Sequence, residues 1–198
     1  MNAVAVPVSE TDVAWPLPDR GRVGMYGLIA AEAAIFTIFV VAYLFYVGKS
    51  VTGPQPTQVL HTPVLLTICL LSSSVTIHAA VTALRGARIG AFLSWLALTV
   101  ALGAVFLGGT AREWHHLIYD EGLTIRTNLF GTSYYSLVGL HAFHVTVGLL
   151  GLSTVLLLAL RRHVGREHAG RLDVFSLYRH FVDAVWVVVF LVVYVIGR

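Results

Sequence analysis

Charge is scarce in this chain: Asp, Glu, Lys and Arg make up 12% of its 198 residues, about half the ~25% of an ordinary soluble domain. With 57% hydrophobic residues and a mean hydropathy of +0.81, that scarcity excludes a water-solvated globule and makes lipid the main solvent. Cysteine is almost missing. Cys69 stands alone, which rules out an internal disulfide and a paired-cysteine dinuclear copper site; inside an apolar run it reads as a small buried hydrophobe. Internal repeats and low-complexity tracts are absent. The net charge of +3 comes from arginines near the ends of apolar stretches, so nucleic acid is not an expected partner. The start lacks the basic stretch and apolar core of a signal peptide. Glu10, Asp12, Asp19 and three prolines before position 20 instead give an arm, residues 1–21, with little structure of its own.

What is present is a set of five apolar stretches, over residues 23–47, 62–84, 89–109, 132–160 and 178–197. Each is near or above the ~20 residues that span ~30 Å of hydrocarbon. Between them, 48–61 holds Gly53, Pro54 and Pro56, 85–88 is a tight turn, and 112–131 and 161–177 read as longer polar loops. The expected fold is all-α, an integral membrane bundle of five transmembrane helices occupying residues 22–198. Lysine and arginine set its orientation. Arg20, Arg22, Arg85, Arg88, Arg161, Arg162, Arg166, Arg171 and Arg179 fall on the N-terminal side, and Lys49, Arg112, Arg126 and Arg198 on the other. Nine against four places the N-terminus in the cytoplasm and, after an odd number of crossings, the C-terminus outside. Small residues cluster in the first stretch (Gly24, Gly27, Ala30, Ala31, Ala33, Ala34) and the fourth (Gly139, Ala142, Gly148, Gly151), where they predict close helix packing.

Polar residues at membrane depth carry the functional signal, because an ionisable group there is costly and faces a partner. Glu32 lies about 14 Å from the cytoplasmic end of the first stretch by helix rise. The fourth stretch runs the other way and brings His141 and His144 to nearly that depth, on one stripe with Gly148 and Gly151. The sequence therefore predicts a buried Glu32–His144 hydrogen bond, either an interhelical clasp or part of a proton relay. His78 reads as a satisfied core histidine. His180 and Asp183, at i and i+3 where the last stretch begins, are candidates to pair with each other, a lipid headgroup or a neighbouring subunit. Arg85, Arg88, Arg161 and Arg162 flank helix ends where anionic headgroups lie. His61, His115, His116, His163 and His168 fall in loops. No spacing matches a zinc or mononuclear iron site.

At these residues the chain resembles the cytochrome c oxidase subunit III family. Arg22-Val23-Gly24-Met25 through Glu32 is similar to that family's opening and buried glutamate, and Leu71-Ser72-Ser73-Ser74-Val75-Thr76 to its leucine–serine run. Arg112-Glu113-Trp114 is similar to its acidic–aromatic exit. Gly139-Leu140-His141-Ala142-Phe143-His144 resembles its two-histidine signature, and Tyr178-Arg179-His180-Phe181-Val182-Asp183-Ala184-Val185-Trp186 its last helix. Departures are Ala31 for a serine, Thr110 for a glutamine, Ala142 for a glycine and Arg179 for a tryptophan. Two N-terminal helices of longer members, with their lipid-filled cleft, are missing.

The resemblance implies a subunit without a redox centre. Haem and copper are expected in a catalytic subunit I and its partner subunit II, with bound phospholipid and further respiratory subunits as other partners. The implied role is support of assembly, stability and proton uptake. By residue, Glu32 and His144 correspond to the family's buried pair, and Tyr178 to the tyrosine that opens its last helix and joins them if that helix starts deeper. Related subunits also serve quinol oxidases and nitric oxide reductases. A b-type cytochrome ligated by His78 and a histidine of the fourth stretch and a small proton-coupled transporter centred on Glu32 are the readings from other classes.

Overall fold

The structure, a computed structural model, describes residues 19–50, 53–60 and 62–197. The arm up to residue 18, His61 and Arg198 lie outside the described residues. Five helices are long and apolar enough to cross a membrane, as expected. They are α1 (Arg20–Tyr46), α3 (Val64–Arg85), α4 (Ile89–Tyr119), α5 (Leu129–Leu160) and α6 (Ala169–Phe190), with a one-turn α2 (Pro56–Val59) in the first loop. α6 is entered through a 3₁₀ turn, Arg166–His168, and continues into a π-helical turn, Leu191–Ile196.

Two boundaries differ from expectation. α4 runs ten residues past Gly109, so Arg112, Glu113, Trp114, His115 and His116 are helical, not loop. Arg, Glu and Leu are good helix formers, Leu117 gives this extension a buried face, and Gly122 with φ +65° ends it. α6 starts nine residues before Tyr178. Its first turns bury Ala169, Leu172, Ser176 and Arg179, a stripe at steps of three and four, while Arg171 faces out. His180 and Asp183 consequently sit inside the span and not at its mouth.

The bundle is organised around α6, which packs on α1, α3 and α5, while α4 bridges α3 and α5. α3 and α4 form an antiparallel hairpin closed by Gly86 and by Ala87 at φ +55°. Side-chain caps open two helices: Asp19 accepts from the Gly21 N–H, and Asn128 Oδ1 accepts from the Gly131 N–H at 2.7 Å. Gly148 and Gly151 do bring helices together, since a Cβ at either would meet the Tyr178 or Phe175 ring. The first helix behaves differently. A Cβ at Gly24 or Gly27 would meet nothing within 4 Å, and α1 is the least enclosed span, with 11% of its apolar window buried against 44% for the last. Among the described residues, nothing packs on Gly24 or Gly27.

Candidate functional site

The predicted pair forms. Glu32 on α1 and His144 on α5 meet at 3.0 Å, Oε2 to Nε2, with the carboxylate side chain 22% exposed and the imidazole 7%. The other ring nitrogen, Nδ1, lies 2.8 Å from the Leu140 carbonyl. A carbonyl only accepts, so Nδ1 carries a hydrogen. A hydrogen bond at Nε2 then needs a hydrogen either on the ring or on the carboxyl. Phe36 and Phe143 pack on the imidazole at 5.1 and 5.6 Å. The Tyr178 hydroxyl donates to the His144 carbonyl at 3.2 Å, so Tyr178 joins the pair through backbone, and the deeper start of α6 is what brings it there. A cleft of about 340 Å³ lined by Met25, Leu28, Glu32, Phe143, His144 and Tyr178 opens beside the carboxylate.

His141 does not share this network. It is fully buried, sandwiched by Trp186 at 4.8 Å and met edge-on by Phe106 at 5.8 Å, and neither ring nitrogen has a hydrogen-bond partner among the described residues. His180 and Asp183 are brought together, through α3: Ser74 Oγ donates to Asp183 and lies 3.1 Å from His180 Nδ1. His78 is corrected. It is exposed on α3, not a core histidine, and α3 packs on α4 and α6, so it is not set against a helix-α5 histidine as an axial pair would be. Cys69 is half-buried.

Among the basic residues, Arg85 is engaged by protein: Arg22 and Arg85 bind the two oxygens of Asp173 at 2.8 and 2.7 Å, tying α1, α3 and α6 together at one end. Arg88 precedes α4, and Arg161 follows α5 at that same end. Arg162 takes φ +60° in the turn after α5.

Two features escaped the sequence reading. Arg179 is 2% exposed. Its guanidinium donates to Ser73 Oγ and stands 3.6 Å from Asp183, so it does not belong among the arginines at a membrane surface. At the far end of the bundle, Glu113 accepts from Tyr194 at 3.2 Å and from Tyr134 at 3.5 Å, joining α4, α5 and the π turn. A helix expected to end at Gly109 kept Glu113 out of the bundle, and its tyrosine partners are 21 and 81 residues away in sequence. Among the described residues no three His, Cys, Asp or Glu side chains converge as a metal-ligand set. The arrangement joins helices to one another through polar contacts at membrane depth.

The comparisons with known proteins agree on one family. The family model described as Cytochrome c oxidase subunit III matches residues 20–198. Cytochrome c oxidase subunit 3 of Alkalihalophilus pseudofirmus is 34% identical over 176 residues, covering 88% of this chain and 85% of that one. Its counterpart from Synechocystis is 37% identical over 183 residues, covering 90% and 77%. The Cytochrome bo(3) ubiquinol oxidase subunit 3 of Pseudomonas aeruginosa is 34% identical over 177 residues, covering 88% and 84%.

Proposed function

The chain belongs to the cytochrome c oxidase subunit III family and is a multi-pass subunit III of a haem-copper oxidase, and we propose that it serves that complex without carrying a redox centre of its own. In this reading electrons and oxygen are handled by a catalytic subunit I with its haems and copper, and by subunit II. This chain stabilises the assembly and supports proton uptake. The observation that carries the reading is the Glu32–His144 pair. It sets a carboxyl and an imidazole in hydrogen-bond contact between α1 and α5, beside a cleft that opens on the carboxylate, which supports a part in handling protons.

The complex sits in a bacterial cytoplasmic membrane with the N-terminus inside. Supporting this, Arg22, Arg85, Arg88 and Arg161 gather at the end where α1 and α6 begin and α3 and α5 finish, which is the distribution of a cytoplasmic face. There Arg88, Arg161 and Arg162 meet lipid phosphate. Reduced cytochrome c is the first choice of donor. A quinol is the second, supported by the likeness to the Pseudomonas aeruginosa subunit.

A mild-detergent pull-down of this chain, followed by mass spectrometry and absorption spectroscopy, tests the reading. The expected result is co-purification of haem-bearing subunits whose oxygen uptake is driven by reduced cytochrome c, with the Soret band staying with those subunits when this chain is stripped away. Haem or copper retained by the stripped chain, or co-purification of no oxidase subunit, would overturn it.

A further inference from the structure

α3 turns outward a face that the described residues leave uncovered. Leu65 is 72% exposed, Ile68 54%, Leu71 37% and Val75 71%, and the same stripe continues through His78 and Thr82, both exposed. The steps of three and four residues place them along ~26 Å of one helix side, which α4 and α6 leave uncovered. His78 is the residue that does not fit a lipid-facing stripe. It lies seven residues, or about 10 Å, inside the Arg85 end of α3, and its ring has no hydrogen-bond partner among the described residues; the carbonyl of His78 accepts from Thr82. His180 on α6 is its electrostatic neighbour, half-buried, with Nδ1 already engaged by Ser74.

Ionisable side chains in membrane spans face a bundle interior or a polar cavity, because hydrocarbon offers them no partner. An imidazole pointing out of its own bundle therefore marks a place where the interior of a larger assembly continues. We propose that the α3 face seats a transmembrane helix of a different subunit, and that this helix brings a hydrogen-bond acceptor, a carboxylate or hydroxyl, to His78. The proposal rests on the reading of this chain as one subunit of an oxidase complex.

A packed helix at an axial distance of ~8–10 Å delivers such a group at any depth. A lipid phosphate stays at the bilayer surface, and imidazole lacks the long stem with which lysine and arginine reach it. A second copy of the chain across a two-fold axis would set His78 against His78, two groups of the same kind, with the Val75 rows meeting each other.

The test uses the purified complex. A photo-crosslinking amino acid at Val75 should attach to a different polypeptide of the complex. A second variant pair reads the acceptor. His78→Leu should lower retention of this chain after a stringent detergent wash by about tenfold, and His78→Gln, which can still donate, should retain most of it. Because His78 is exposed, the isolated His78→Leu chain should keep its helicity and melting temperature. Adducts at Val75 with lipid alone or with another copy of this chain, in a complex that still co-purifies, would overturn the proposal and leave the oxidase reading standing. So would a His78→Leu chain retained as well as the wild type. If the wild-type chain brings down no oxidase subunit, the oxidase reading fails first and the proposal with it.

Discussion

Replacing Glu32 by glutamine, aspartate and alanine in turn separates a shared proton from a simple ion pair. The Leu140 carbonyl fixes the hydrogen on Nδ1 of His144, so Nε2 of a neutral ring is free to accept. Glutamine donates to it with the same reach, and Glu32→Gln is expected to cost less than ~1 kcal/mol, the worth of one ordinary hydrogen bond. Glu32→Asp withdraws the oxygen by a methylene from a 3.0 Å contact and breaks it. Glu32→Ala leaves Nε2 unpaired beside Phe36 and Phe143, a loss of about 1–3 kcal/mol. His144→Ala adds a cavity, so the bond itself is read from the double-mutant cycle. Side-chain hydrogen bonds in membrane bundles couple by ~0.6 kcal/mol on average and ~1.7 at most. An ionisable pair with only 7% and 22% exposure belongs near the upper end. The assay is denaturant- or heat-driven loss of this subunit from the purified complex, measured for wild type, both alanine variants and the double variant. Additivity within ~0.3–0.5 kcal/mol would show that the two groups do not work as one unit. Glu32→Gln as damaging as Glu32→Ala would show that charge, not a shared proton, holds the contact.

Other perturbations test the rest of the bundle. Arg179→Met removes the cation from a 2%-exposed site and strands Asp183, an expected loss of ~3–5 kcal/mol; Arg179→Met with Asp183→Leu should recover much of it, and calorimetry that finds the double variant worse than the single would refute the pairing. Gly151→Leu drives a side chain into the Phe175 ring and should lower the yield of folded chain sharply, while Gly27→Leu, with open space around it, should leave the isolated chain's melting temperature within about 2–4 °C of wild type. A reporter fused after Arg198 is expected to be active outside the membrane and one placed between Arg85 and Arg88 inside; the reverse pattern would defeat the orientation or the count of crossings.

The number and order of spans were legible because hydrocarbon thickness imposes a length on apolar runs that composition alone reveals. The Glu32–His144 contact was legible for a related reason: two antiparallel helices with fixed rise put residues at computable depths, and a lone buried carboxylate needs a partner. What depth counting does not supply is azimuth. His141 shares the stripe and the depth of His144, yet its ring turns into an aromatic box of Phe106 and Trp186. His78 has the depth of a core residue and faces outward. Gly24 and Gly27 have the sizes of a packing face and pack on nothing among the described residues. In each case the missing information was which side of a helix its neighbours occupy, and that is set by the whole bundle.

The misplaced ends of α4 and α6 have one cause. Reading spans by apolarity treats every charge as a boundary, whereas a helix continues as long as its backbone bonds do and a charge enters a bundle if its hydrogens are met. Arg179 shows the condition. It occupies a position where the family resemblance leads one to expect tryptophan, and a guanidinium there needs room and acceptors. Gly103 on α4 lies beside the guanidinium, where an added Cβ would only touch Arg179 Nη2 at 3.9 Å and would press on Leu149 at 3.0 Å. Ser73 supplies one acceptor, and Asp183, one turn along α6 and itself bound by Ser74, supplies the opposite charge. Asp183 is a neighbour on the same helix, but Ser73 and Ser74 come from α3, distant in sequence, so the arginine could be recognised as interior only once α3 was packed on α6. The same reasoning applies to Glu113, whose two tyrosine donors arrive from α5 and the π turn. A charged residue at the edge of an apolar run is therefore better treated as an open question about partners than as the end of the helix.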